Sequence, residues 1–192
     1  VEVVDNWPEG ILDVVPRIPP GTLVVTGALE NSPRILDQLR ERLPFAGCNV
    51  DSMRALRDPI SLQQILQQAG LDTLRVSLHQ PDREPSIRWL RKPLQSAAGF
   101  NIRFNGAASA ATSTSHDDIA ELPRCYYQEF VEGESVSGLF LSSGEDCRLI
   151  GLTRQLIGLS EAGCSGFRYC GSIGPLTADD LSLLAVELAM QA

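Results

Sequence analysis

Apolar residues in the first third of the chain recur at helical spacing between clear turn signals. Residues 22–26 (TLVVT) are a short continuous apolar run of the kind that forms a buried strand, and residues 27–31 (GALEN) read as a turn. A helix is predicted next, with Ser32 as N-cap, Pro33 at the first helical position and an apolar face of Leu36, Leu39 and Leu43 that Pro44 ends. Phe45 to Val50 reads as a second short strand. Asp58 and Pro59 open another helix, whose apolar positions Leu62, Ile65, Leu66 and Ala69 fall at i, i+3, i+4 and i+7 before Gly70. Strand, helix, strand, helix is the pattern of a small parallel α/β unit.

The period changes after Gly70. Residues 80–86 form a polar, proline-bearing connection. Ser86 to Pro93 has strand character, with Arg88, Leu90 and Lys92 on one face, and a small-residue loop, Leu94 to Asn101, follows it. Ile102 to Phe104 reads as a strand, and the small, polar stretch Asn105 to Ser115 as a mobile loop. Further strands are predicted at Cys125 to Val131, Ser135 to Leu141, Cys147 to Thr153 and Phe167 to Cys170, with turns at Ser142 to Asp146 and Gly163 to Gly166. Thr177 to Asp180 is a capping-box pattern opening an amphipathic helix that reaches Ala192, so the chain reads as cut off there. The fold class expected is α/β: a parallel α/β region over residues 1 to about 72, then a mainly antiparallel α+β region over 87 to 176.

Composition narrows the function. The 192 residues carry a net charge of −8, which argues against a nucleic-acid groove. Mean hydropathy is −0.02, and no apolar run is long enough to suggest a membrane span or a secretory signal. The cysteines Cys48, Cys125, Cys147, Cys164 and Cys170 show no CxxC spacing and lie far from any pair of histidines, so reduced thiols in a cytoplasmic protein are expected rather than a zinc site. Cys170 has no histidine near it in sequence to make it a nucleophile. His116-Asp117-Asp118 reads either as an acid–base cluster or, more simply, as the N-cap region of a short helix. Of the 16 basic residues only Lys92 is a lysine. An ammonium is a compact point charge suited to a phosphate oxygen, although composition drift leaves the same trace.

Three segments, taken in order, resemble the ATP-grasp superfamily: residues 89–93 (WLRKP) with the loop 96–102 (SAAGFNI), residues 126–134 (YYQEFVEGE), and residues 151–158 (GLTRQLIG) continuing to 167–175. Residues 26–33 and 57–59 resemble the preceding α/β domain of one subgroup, the carboxylate–amine ligases related to biotin carboxylase. The resemblance implies an N-terminal pre-ATP-grasp domain over 1–72, a central nucleotide-binding subdomain over 73–131 and the first part of a C-terminal subdomain over 132–192. It implies that Lys92 contacts the phosphates of ATP while the loop with Ser96, Ala97, Ala98 and Gly99 covers them. This loop departs from the family's run of several glycines, having only Gly99. The backbone around Phe130, at Glu129 and Val131, would meet the adenine edge, Gln128 its exocyclic amine and Glu134 the ribose hydroxyls. Arg154 is the candidate catalytic residue, holding a phosphate or carboxylate by its guanidinium fork, or else a surface strand arginine.

The resemblance further implies an ATP-dependent carboxylate–amine (or thiol) ligase that works through an acyl phosphate, with small-molecule acid and amine substrates and no nucleic-acid or membrane partner. Its Mg2+ ligands are expected in C-terminal strands beyond Ala192, so this chain alone is expected to be inactive. A non-catalytic nucleotide-binding or interaction module with the same fold is the alternative.

Overall fold

The computed structural model describes residues 3–22, 29–82, 84, 86–106, 124–143 and 146–176. The strand expected at 22–26 has only its first residue there, and the 105–115 loop only its first two. The His116 cluster and the 177–192 helix lie outside the described residues. The chain divides into two compact units, Val1–Leu62 and Gln63–Ala192.

In the first unit, helix α1 (Pro33–Arg42) starts where Pro33 supplies the helical φ and needs no N–H partner. Ser32 occupies the N-cap position, and its carbonyl accepts the amides of Ile35 and Leu36. The buried side of α1 is Ile35, Leu36 and Leu39, which pack with Leu29 and Val50 into the core. Ile11, Leu12, Val15, Phe45 and Met53 close around it.

The strand expected over Phe45 to Val50 is not formed. Phe45 makes an isolated bridge, and Val50 instead begins helix α2 (Val50–Arg57). Two side chains decide this. Asn49 caps the helix by accepting the Ser52 amide at 2.7 Å, while the Arg40 guanidinium takes the Cys48 carbonyl at 2.9 Å, where a strand partner would bind. Helix α3 (Pro59–Gln68) has the expected start, since Asp58 Oδ1 accepts the amides of Ile60 and Ser61 at 3.1 and 2.8 Å. It ends where Gly70 turns left-handed at φ 75°.

The second unit holds two antiparallel sheets, as the alternating patterns after residue 86 lead one to expect. The first has the order β1 (Val76–Ser77), β4 (Cys125–Glu129), β2 (Trp89–Pro93), β3 (Arg103–Phe104). The second has the order β5 (Val136–Ser142), β6 (Cys147–Ile157), β7 (Tyr169–Ile173). Strand β6 runs four residues past the expected end at Thr153, because Arg154 to Ile157 keep the ladder with β7. Phe104, Phe130 and Phe167 meet edge-to-face with centroids 5.0, 5.4 and 6.2 Å apart, tying β3 and the end of β4 to the segment before β7.

Leu36 is almost fully buried at the centre of the first core. Leu36→Ala is expected to lower stability by about 2–5 kcal/mol in urea unfolding, the range for a large-to-small core change.

Candidate functional site

The pairing of β2 with β4 sets the site. Leu90 lies opposite Gln128 and Lys92 opposite Tyr126, so these four side chains share one face of the sheet. Trp89, Arg91 and Tyr127 belong to the other face. On the shared face the Lys92 ammonium donates to Gln128 Oε1 at 2.8 Å and lies 5.6 Å from the Tyr126 ring centre. Leu90 and Lys92 form one wall of a cavity of about 520 Å³. Gln155 and Ile157 of β6, with Phe167 and Tyr169, form the facing wall, and Ala98, Gly99 and Ile102 close it.

Among the described residues that line this cavity, Lys92 is the cation and there is no carboxylate. Burial pushes the lysine below its ordinary pKa of 10.5, because an ammonium partly withdrawn from water is costly. The native state is therefore penalised while Lys92 is charged in both states, and the penalty lifts as pH rises through the lowered value towards 10.5. An anion delivered to the cavity removes the same penalty. A larger groove of about 1130 Å³ is lined by Asp82 and Glu84 beside Arg88, which makes it a poorer host for a polyanion.

The loop after β2 has the backbone of a glycine run with few glycines in it. Ala98 and Asn101 take φ values of 52° and 58°, and Gly99 one of 73°. The left-handed region costs a side-chain-bearing residue roughly 1–2 kcal/mol. Ser96 Oγ donates to the Phe100 carbonyl at 2.8 Å, and the Phe100 amide to the Ala97 carbonyl at 3.1 Å, which folds the loop on itself. Docking onto the second sheet holds it down. The Tyr169 amide donates to the Ala98 carbonyl at 3.0 Å, and the Arg168 guanidinium covers the Phe100 ring at 4.3 Å. At Gly99 an added Cβ would come 1.8 Å from the Phe167 carbonyl oxygen, so only glycine permits this approach.

At the end of β4 the Glu129 amide donates to the Arg75 carbonyl at 2.9 Å, and the Phe130 amide to the Arg88 carbonyl at 2.8 Å. The Glu129 carboxylate accepts from the Arg75 amide at 3.3 Å and faces the Arg75 guanidinium at 3.8 Å. Val131 follows, exposed. Lys92, Gln128, Ala98 and Gly99 are thus brought together, and Ser96 and Ala97 stand in the same loop. Arg154 is not on their side of β6. It points away from the face that carries Gln155, and its guanidinium meets Glu134 Oε2 at 3.2 Å on exposed surface. Gln155, which also donates to Ser137 Oγ, was missed because the strand was expected to stop at Thr153. Alternation continued one turn of the ladder further would have found it.

The sequence model of the ATP-grasp domain family matches residues 56–192. This chain belongs to the ATP-grasp domain family. A solved structure from Archaeoglobus fulgidus, described as an ATP-grasp superfamily protein, superposes with a TM-score of 0.57 at 21% identity, over 83% of this chain and 43% of that one. At that identity the likeness establishes the fold, and this chain spans less than half the length of that relative. No curated protein matches. Membership of the ATP-grasp family implies that the domain binds ATP. A half-buried lysine under a strained loop, with no carboxylate among the described residues lining its cavity, fits a polyphosphate. Among the described residues, no group of three His, Cys, Asp or Glu side chains could hold a metal ion. No helix among them is long and apolar enough to cross a membrane.

Two substitutions separate strain from docking in the ATP-grasp loop. Ala98→Gly should leave the loop docked and raise stability by up to ~1 kcal/mol by relieving the left-handed alanine. Gly99→Ala should release the loop, read as faster hydrogen exchange at the Tyr169 amide.

Proposed function

We propose that the cavity between the two sheets receives the phosphates of ATP, and that the whole protein is a carboxylate–amine (or thiol) ligase of the biotin-carboxylase-related subgroup. The observation that carries this reading is the Lys92 ammonium, held at 2.8 Å by Gln128 in a cavity whose described lining holds no carboxylate. Gln128 points the ammonium but is neutral, so the charge is left for a phosphate oxygen. In this reading the backbone of Ala97, Ala98 and Gly99 covers the phosphates, with Ser96 fixing the loop's entry. The Glu129 amide is engaged by Arg75, so at that residue the carbonyl would accept the adenine amine, while the Val131 amide would donate to the ring. Phe130 supports this edge through Phe104 and Phe167.

Glu134 is assigned the ribose hydroxyls. Arg154 then acts as a positioning residue that orients Glu134, rather than as a direct phosphate contact, because it lies on the other face of β6 from Gln155. Phosphoryl transfer asks the protein for positioning and charge neutralisation more than for a nucleophile. The reaction assigned to the whole protein is attack of a substrate carboxylate on the γ-phosphate, giving an acyl phosphate that an amine captures with loss of phosphate. Magnesium would supply further neutralisation, held by ligands outside the described residues. A cytoplasmic setting fits both ATP supply and the free thiols of the described chain.

Lys92→Met is the test, read by calorimetric titration with ATP and by thermal melts. The variant is expected to keep its melting temperature or gain slightly, since a penalised charge is removed, and to lose about 1–3 kcal/mol of ATP affinity, the range for hydrogen bonds to charged groups. Equal affinity in both proteins would refute the assignment. Wild-type affinity should also fall as pH rises through a value below 10.5, because the neutral amine cannot hold a phosphate, and Lys92→Met should lack that alkaline loss.

A further inference from the structure

Between the two sheets the chain runs through a short connector, Val131 to Ser135. The ladder of β2 with β4 continues one pair past Trp89–Glu129, where the Phe130 amide donates to the Arg88 carbonyl at 2.8 Å. The next backbone anchor is the Ser135 carbonyl, which accepts the Gln155 amide at 2.8 Å. From Val131 to Glu134 no backbone hydrogen bond is made among the described residues. Side chains hold this stretch instead, one arginine from each sheet. The Arg88 guanidinium donates to Glu132 Oε1 at 2.8 Å, and that of Arg154 to Glu134 Oε2 at 3.2 Å.

An exposed ion pair contributes little when two flexible side chains must be ordered to form it. Arg88 is ordered beforehand. Its backbone extends the ladder, and its guanidinium lies 4.4 Å from the centre of the Phe104 ring and 4.6 Å from that of Phe130. Both rings are fixed against each other and against Phe167. A planar guanidinium stacks on a ring with its face and still donates from its edge, which the point charge of a lysine does not offer equally well. The fork therefore meets Glu132 at a set point, two residues past Phe130.

We propose that Arg88 is a positioning residue for the nucleotide base, acting through Glu132 to hold the Val131 amide where the ring edge meets it. This rests on the function proposed above, which gives that edge to Glu129 and Val131. Phe130 is tied to the Arg88 carbonyl and Glu132 to the Arg88 guanidinium, so one arginine holds both neighbours of Val131. Lys92 lies four residues further along the same strand face, about 13 Å away at ~3.3 Å per residue. Loss of Arg88 therefore acts on the base and leaves the phosphate end alone.

The test compares wild type with Arg88→Met, Arg88→Lys and Glu132→Gln in the full chain. Hydrogen exchange without nucleotide reads the clamp: residues 131–133 should exchange faster in Arg88→Met and in Glu132→Gln, with the Tyr169 amide unchanged. Calorimetry reads the base. Both variants should bind ATP about tenfold more weakly, the effect of one lost hydrogen bond, and inorganic triphosphate as wild type does. Arg88→Lys should recover part of the ATP affinity, and combining Arg88→Met with Glu132→Gln should weaken it no further than either alone. Equal loss of ATP and triphosphate would make Arg88 a support of the fold only and overturn the proposal, as would unchanged exchange at 131–133. Glu132→Gln alters an exposed side chain, so the test stands even if Arg88→Met does not fold. The exchange result involves no ATP and so strikes the clamp alone, whereas a wild type that binds neither ATP nor triphosphate would overturn the nucleotide reading and this assignment with it.

Discussion

In the β2–β4 ladder, Leu90 pairs with Gln128 and Lys92 with Tyr126, and that register commits the chain's single lysine to the side of the sheet facing β6 and β7. A slip of one residue would turn Lys92 to the face of Arg91 and Tyr127 and leave the cavity without a cation. Leu90 anchors the register because it is buried on the cavity face, and Tyr127 does the same on the opposite face. The energetic consequence is a lysine held half out of water with a neutral partner. That arrangement destabilises the empty site slightly and favours any ligand that returns a negative charge to it.

The loop after β2 depends on the same geometry from the other side. Its left-handed Ala98 and Asn101 are unfavourable in isolation, and the Tyr169 amide, the Phe167 approach and the Arg168–Phe100 contact hold it against the second sheet. The Phe104–Phe130–Phe167 cluster, with the Arg88 guanidinium 4.4 and 4.6 Å from the rings of Phe104 and Phe130, fixes the spacing of the two sheets beneath it. Cation, cover and platform therefore come from three separate stretches of chain joined by antiparallel pairing.

Much of this was legible from residue patterns, for identifiable reasons. Helices α1 and α3 carry proline at their first positions and apolar residues at helical spacing, so local chemistry and burial agree. The shared face of Leu90 and Lys92 follows from strand alternation alone. Helix α2 was missed because its signal lies in one short cap, Asn49, and in an arginine eight residues upstream of the Cys48 carbonyl it captures. The placement of Arg154 needed the phase of β6 relative to the cavity, which only the register with β5 and β7 fixes. The glycine-like backbone at Ala98 was equally hidden, since alanine does not announce a positive φ.

The most direct measurement of the central claim is a hydrogen-exchange difference map of the chain with and without a non-hydrolysable ATP analogue. The account predicts slowed exchange at the amides of residues 97–99 and at Val131, with little change along β5. Protection confined to other segments, or no protection at saturating analogue, would contradict it.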